Sequence, residues 1–388
     1  MRLMLSACAL LLLLTAVHST AQGIVPAPPQ VAAQAWLLVD ADTGAVLAEE
    51  NADRQLPPAS LTKMMTSYVL AAEIAAGRAA RGDPVTVSTN AWSQNPVFNG
   101  SSLMWIEPGK PVTIGELERG VVISSGNDAT VAIAEHIAGS EDAFADLMNQ
   151  YGVELGLSGT YFVNSHGLPH PQHLTTARDL ATLAGALIRD FPEHYSIYSE
   201  REFTYNDIRQ YNRNALLGED PSVDGLKTGY TREAGYCLVA SAERNDMRLI
   251  SVVMGADSPA ARKRETRGLL NYGFRFYDTA RVLDGGEELE KPRVWKGVSD
   301  FLAVGVAEDL QLTLPRGKRT ALQRRIALQD PITAPLAPGD SVGRLTLLLD
   351  GEVLREVPVV ALEPLESAGF FARLWDAVLM WLANLFGR

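Results

Sequence analysis

Pro58-Ala59-Ser60-Leu61-Thr62-Lys63-Met64-Met65 places a serine and a lysine three residues apart at the head of an apolar run. The run predicts a helix over 61–80, and residues three apart on a helix share a face. A hydroxyl and an amine so placed lie within hydrogen-bond reach of each other, the arrangement that activates a serine nucleophile. A serine at a helix start also puts its own N–H among the unpaired donors of the first turn, where developing negative charge is favoured. The same octapeptide reads equally as a helix cap followed by a solvated lysine, because Ser and Lys are common and this spacing arises by chance.

Two further strings bear on that choice. Ser124-Ser125-Gly126-Asn127-Asp128-Ala129 lies within an apolar stretch that predicts one helix over 114–138. Asp224-Gly225-Leu226-Lys227-Thr228-Gly229-Tyr230 precedes two apolar runs, 235–243 and 248–254, which predict neighbouring antiparallel strands. Taken singly, each string reads as a turn, with Ser125 or Asp128 capping a helix and Gly229 bending a loop. The three in this order match the requirements of a serine acyl-transfer enzyme.

S-x-x-K, S-G-N and K-T-G in this order are the motif set of the penicillin-recognising serine enzymes, which include penicillin-binding proteins and class A β-lactamases. The chain resembles the low-molecular-weight penicillin-binding proteins, the serine-type D-alanyl-D-alanine carboxypeptidases of peptidase S11 type. The resemblance also rests on 100–104 (GSSLM), 125–129 (SGNDA), His166-Gly167-Leu168, 177–179 (ARD), 212–214 (NRN), 223–229 (VDGLKTG) and 273–276 (GFRF). It runs from about residue 31 into the C-terminal helix.

The resemblance implies a role for each site residue. Ser60 attacks the carbonyl of the penultimate D-alanine and becomes acylated. Lys63 acts as its base if enough of it is neutral, which burial and a second cation would favour, with Lys227 the expected second cation. Ser125 passes a proton to the leaving amine, and Asn127 holds Lys63 and the substrate amide. Lys227, Thr228 and Gly229 form the motif that binds the terminal carboxylate, with Arg262 on the same task and Arg213 a weaker candidate. The backbone N–H groups of Ser60 and Tyr230 form the oxyanion hole. Many relatives carry histidine where this chain has Tyr230, so the hole is expected to persist with altered rate or substrate preference. His166 is expected either to border the site or to serve only as a structural turn.

No cofactor and no metal site are expected. His166, His170 and His173 are separated by Pro169 and Pro171, and neither Cys nor Glu completes a ligand set among them. A net charge of -12 argues against a nucleic-acid partner, since phosphate binding needs a basic face.

The 388 residues, 47% of them hydrophobic, suggest more than one domain. Residues 1–21 read as a secretory signal peptide, with Arg2, an apolar run over 3–17 and cleavage before Gln22. Cys8 has too little apolar sequence before it to suit lipidation. That leaves Cys237, without an intrachain partner, as a small buried hydrophobe. The expected fold is α+β: a β-lactamase/transpeptidase-like domain over 22–277, with an antiparallel sheet flanked by helices, followed by a small all-β domain over 278–363. Residues 364–388 form an amphipathic helix whose face carries Phe371, Leu374, Trp375, Val378, Leu382, Leu385 and Phe386. Arg373 and Asp376 disfavour a membrane span, and the aromatic face suits the membrane interface, with packing on the β domain or a dimer contact as the alternative.

Taken together, these features predict an exported, periplasmic enzyme held peripherally on the outer face of the inner membrane through its C-terminal helix. Its partners would be peptidoglycan stem peptides ending in D-Ala-D-Ala and β-lactam antibiotics. The alternatives are DD-endopeptidase or β-lactamase activity on the same fold, or a catalytically silent peptidoglycan-binding protein. A class A β-lactamase is disfavoured, because no Glu-x-x-x-Asn string stands between Asn127 and Lys227 to position a deacylating water.

Overall fold

The computed structural model describes residues 25–385; the expected signal peptide and Phe386 lie outside the described residues. The first sheet begins with β1 (Ala35–Asp40) and β2 (Val46–Glu50), paired antiparallel across the turn at Gly44. After it the chain makes a single 3-10 turn, Ala59–Thr62, and enters α1 (Lys63–Ala75). Every residue of α1 from Lys63 to Ala71 is buried, so the helix runs through the core. It stops short of the expected residue 80 because Gly77 turns left-handed at φ 71° and ends the ladder.

The stretch 114–138 is not one helix. A capping box between Thr113 and Glu116 starts α2 (Ile114–Arg119), which passes into a π-helical turn over Gly120–Ser124. Ser125 then adopts φ 61°, and α3 (Asn127–Ala138) begins afresh. Apolar periodicity runs unbroken through the junction, so only the backbone reveals the kink; π turns of this kind recur at functional sites. Next come α4 (Glu141–Glu154), capped by Ser140, α5 (Ala177–Asp190), capped by Thr176, and the short α6 (Pro192–Tyr195). A small hairpin follows, β3 (Glu202–Tyr205) with β4 (Ile208–Tyr211).

The K-T-G string, expected to lie ahead of the strand pair, is itself a strand. β5 (Val223–Thr231) pairs antiparallel with β6 (Gly235–Arg244), which pairs with β7 (Met247–Ala256), giving the sheet order β2-β1-β7-β6-β5. β5 was hard to read because Gly225, Lys227, Thr228 and Gly229 break the apolar pattern of a strand. Helix α7 (Pro259–Phe276), capped by Ser258 with Pro259 in its first turn, packs on the opposite face from α1 and α5.

β8 (Tyr277–Leu283) opens the all-β part and is followed by β9 (Glu288–Glu290), β10 (Val304–Gly305) and β11 (Leu310–Pro315); β8 and β11 pair. β12 (Gln323–Leu328), β13 (Ser341–Leu349) and β14 (Glu352–Ala361) complete a sheet of order β12-β13-β14-β10-β9. Asp350 and Gly351, at φ 52° and 93°, make the tight β13–β14 turn expected of that pair. The two parts meet where buried Asp40 accepts from Thr43 and from Thr279, and where the Arg316 guanidinium donates to the Phe274 and Tyr277 carbonyls.

Helix α8 (Phe370–Leu385) is tethered by Asp376, which accepts from the Lys296 amide at 2.5 Å. Phe371, Leu374, Trp375 and Trp381 are each more than half exposed, so this helix does not bury its apolar face on the β domain. Among the described residues, no helix is long and apolar enough to cross a membrane.

Candidate active site

A cleft of about 550 Å³ opens between the head of α1 and the edge strand β5. Ser60, Ser101, Ser125, Asn127, Thr228 and Tyr230 are among its lining residues. Ser60 sits not on the α-helix but in the 3-10 turn before it, following Ala59, whose φ of 49° is strained for a non-glycine residue. That strain is held in place by close packing. A Cβ on Gly167 (φ 88°) would lie 1.8 Å from the Ala59 carbonyl oxygen, and one on Gly229 would lie 3.0 Å from the Pro58 oxygen. Glycine at both positions lets a loop and a strand close on the serine turn from two sides. Replacing Gly167 by alanine is expected to cost about 3 kcal/mol or more through the clash and the positive φ. Thermal unfolding together with the rate of covalent labelling by penicillin checks this; wild-type values in both would refute it.

Lys63 is fully buried, and its Nζ lies 3.3 Å from Ser60 Oγ. It also donates to Asn127 Oδ1 at 2.6 Å and to the His166 carbonyl at 2.7 Å. Burial is the main cause that brings its pKa down to about 7; Asp128 opposes the shift, and the Arg213 charge adds to it. The expected cation, Lys227, is coupled to Lys63 through charge, and Arg213 acts on Lys63 beside it. The place of Arg213 next to β4, apart in sequence from all three motifs, hid this effect. Lys227 is likewise buried, and burial followed by the charge of Lys63 lowers its own pKa well below the usual lysine value.

Lys227 Nζ donates to Ser125 Oγ at 2.9 Å and to the Thr228 carbonyl at 3.0 Å. The left-handed conformation of Ser125 belongs to the kink after α2, so the helix break and the placement of this hydroxyl are one feature. Asn127 bridges the site, accepting from Lys63 and donating through Nδ2 to Ser101 Oγ at 2.8 Å. Arg262, on α7, donates to the Gly229 and Cys237 carbonyls, and burial lowers its pKa. Tyr230 is half exposed, with its ring stacked on Tyr236 at 4.2 Å. All nine expected site residues therefore line or adjoin one cleft.

His166 has both expected characters, since it lines the cleft while its ring accepts from the Leu168 amide in a tight turn. Burial lowers its pKa to about 3, so the ring is neutral. Cys237 is fully buried, with its pKa raised to about 11 by burial, an unreactive thiol.

Sequence reading missed two supports. The buried Asp128 carboxylate accepts from the amides of Met104, Trp105, Ile106 and Ala129, and so holds the 99–106 wall of the cleft against α3. Glu141, at the start of α4, accepts from the Ser165 amide and hydroxyl and fixes the loop that presents the His166 carbonyl to Lys63. The only sequence signal for Asp128 was a carboxylate inside an otherwise apolar run; Glu141 had none.

A serine–lysine pair at the head of a buried helix, a second serine and an asparagine at a helix junction, and a lysine on the facing edge strand make the layout of the penicillin-recognising serine hydrolases. Residues 22–258 match the D-alanyl-D-alanine carboxypeptidase family, and residues 277–367 match the C-terminal domain of penicillin-binding protein 5. The chain belongs to the D-alanyl-D-alanine carboxypeptidase family. It is 46% identical to D-alanyl-D-alanine carboxypeptidase DacA of Escherichia coli (strain K12), over 94% of this chain and 91% of the relative. The crystal structure of penicillin binding protein 5 from Haemophilus influenzae superposes with a TM-score of 0.85 at 41% identity, covering 88% of this chain and all of that one. Penicillin-Binding Protein D2 from Listeria monocytogenes, solved in its ampicillin-bound form, matches 64% of this chain and all of its own at 29% identity and a TM-score of 0.57.

Proposed function

We propose that this D-alanyl-D-alanine carboxypeptidase removes the terminal D-alanine of peptidoglycan stem pentapeptides through an acyl-enzyme on Ser60. The observation that carries the reading is the buried Lys63 ammonium, lowered to about 7 and 3.3 Å from the Ser60 hydroxyl. Neutral Lys63 takes the Ser60 proton as Oγ adds to the penultimate carbonyl, and the N–H groups of Ser60 and Tyr230 receive the oxyanion. Lys227, Thr228 and Arg262 hold the terminal carboxylate. Ser125, hydrogen-bonded to Lys227, delivers a proton to the departing D-alanine nitrogen as the C–N bond breaks. Water then adds to the ester, and release of Ser60 returns the tetrapeptide. A β-lactam carbonyl presents the same electrophile to Ser60, in keeping with the ampicillin-bound relative.

The test is release of free D-alanine from a soluble pentapeptide, compared with cleavage of a cross-linked dimer. Faster cleavage of the dimer would overturn the carboxypeptidase preference.

The proposed organisation is a signal peptide over 1–21, a catalytic domain over 22–277, a β domain over 278–363 and an anchoring segment over 364–388. The chain would be exported and would lie in the periplasm against the outer face of the inner membrane. Support comes from α8, which keeps Asp376 on the β domain while Phe371, Leu374 and Trp375 stay exposed on a face rich in aromatic residues. Truncation after residue 363 is expected to move the protein from the membrane fraction to the soluble fraction without loss of D-alanine release. Membrane retention equal to that of the full chain would refute the anchor.

A further inference from the structure

β5 is the edge strand of its sheet, and residues 228–233 line the cleft along its length. The proposed reaction sets the direction of a bound stem. With the terminal carboxylate at Lys227 and Thr228 and the reacting carbonyl at the Tyr230 N–H, the peptide runs antiparallel to β5. An extended chain advances about 3.3 Å per residue, so the stem residue preceding the penultimate D-alanine falls against the turn between β5 and β6.

Three side chains meet it there. The Tyr230 ring is 54% exposed and is backed by Tyr236, with the Arg262 guanidinium 5.7 Å beyond the Tyr236 ring. Arg232 and Glu233 are adjacent in the turn, exposed, opposite in charge and both on the cleft. Among the described residues, neither enters an ion pair or a side-chain hydrogen bond. Lys63, Lys227 and Arg262 contrast with them, since all three donate within the protein, while Arg213, also on the cleft, faces the Lys63 and Lys227 side of it.

We propose that Tyr230, Arg232 and Glu233 form a specificity subsite for the third stem side chain, fitted to an aliphatic chain that ends in both an ammonium and a carboxylate. The Tyr230 face supports the methylenes, Arg232 pairs with the carboxylate and Glu233 takes the ammonium. A lysine at that position satisfies Glu233 but offers Arg232 nothing, and a neutral side chain leaves both charges unanswered. The inference rests on the carboxypeptidase reading of the same cleft.

Three synthetic pentapeptides that differ only in the third residue, 2,6-diaminopimelate, lysine or norleucine, test it through kcat/KM for D-alanine release. Wild-type enzyme is expected to favour diaminopimelate over norleucine about tenfold, with lysine between them, as two exposed charge pairs would provide. R232Q should bring the diaminopimelate-to-lysine ratio close to one, and E233Q should do the same to the lysine-to-norleucine ratio. Ratios within one preparation cancel any difference in folded fraction. If both variants keep the wild-type ratios, the subsite is wrong while the carboxypeptidase reading stands. If wild-type enzyme releases D-alanine from none of the three, the parent reading fails and takes the subsite with it.

Discussion

Replacing Ser60 with alanine is expected to abolish covalent labelling by penicillin and to lower D-alanine release by about 10⁴-fold or more, since the covalent route is lost altogether. No neighbouring group is placed to substitute. Cys237 is fully buried and its thiol stays protonated, with a pKa pushed up to about 11. Ser125 shares the cleft, but its hydroxyl is engaged by Lys227 and is held at the left-handed kink between α2 and α3. The variant should fold normally, because Ser60 is only partly buried and its hydroxyl holds no backbone group in place. The check is intact-protein mass after exposure to penicillin, alongside a thermal melt. A stable variant that still gains the mass of one penicillin would show that the nucleophile lies elsewhere.

Lys63→Arg should be nearly as damaging, lowering acylation by about 10³-fold, because a guanidinium keeps its proton at any working pH and cannot accept that of Ser60. In the wild-type enzyme, the acylation rate should climb with pH through about 7, as Lys63 loses its proton, and level off above it. The same shift bears on stability. The unfolded lysine holds its proton up to about 10.4, whereas the native one has released it by about 7, so the unfolded state binds more protons between these values. Stability contributed by this group therefore rises with pH across that window and is lost as pH falls toward 7. Stopped-flow labelling from pH 5 to 9 measures the rate; a flat profile would remove Lys63 from the base role.

The two parts of the fold and several of their elements were legible because apolar spacing and turn chemistry agree there. The β6–β7 pair, α5, α7 and the Asp350-Gly351 hairpin are such places. The reading failed where local pattern and tertiary demand diverge. Residues 114–138 keep helical apolar spacing although the backbone turns left-handed at Ser125, and β5 is a strand despite its glycines. In both places the chain departs from its local preference to present a cleft residue: Ser125 at the kink and Lys227 on the strand.

From residue types and order alone, the sequence supplied the candidates for the chemistry: a serine and a lysine three apart, a serine–asparagine pair and a lysine–threonine–glycine string. Such information is local, because helix and strand periodicity follow from neighbours in the chain. Only the tertiary structure decided that Lys63 is buried enough for its pKa to fall to about 7, with Arg213 and Lys227 as its neighbouring cations. It also showed that Asp128 and Glu141 hold the walls of the cleft. Desolvation and charge proximity depend on what surrounds a group in space, and those surroundings come from segments far apart in the chain.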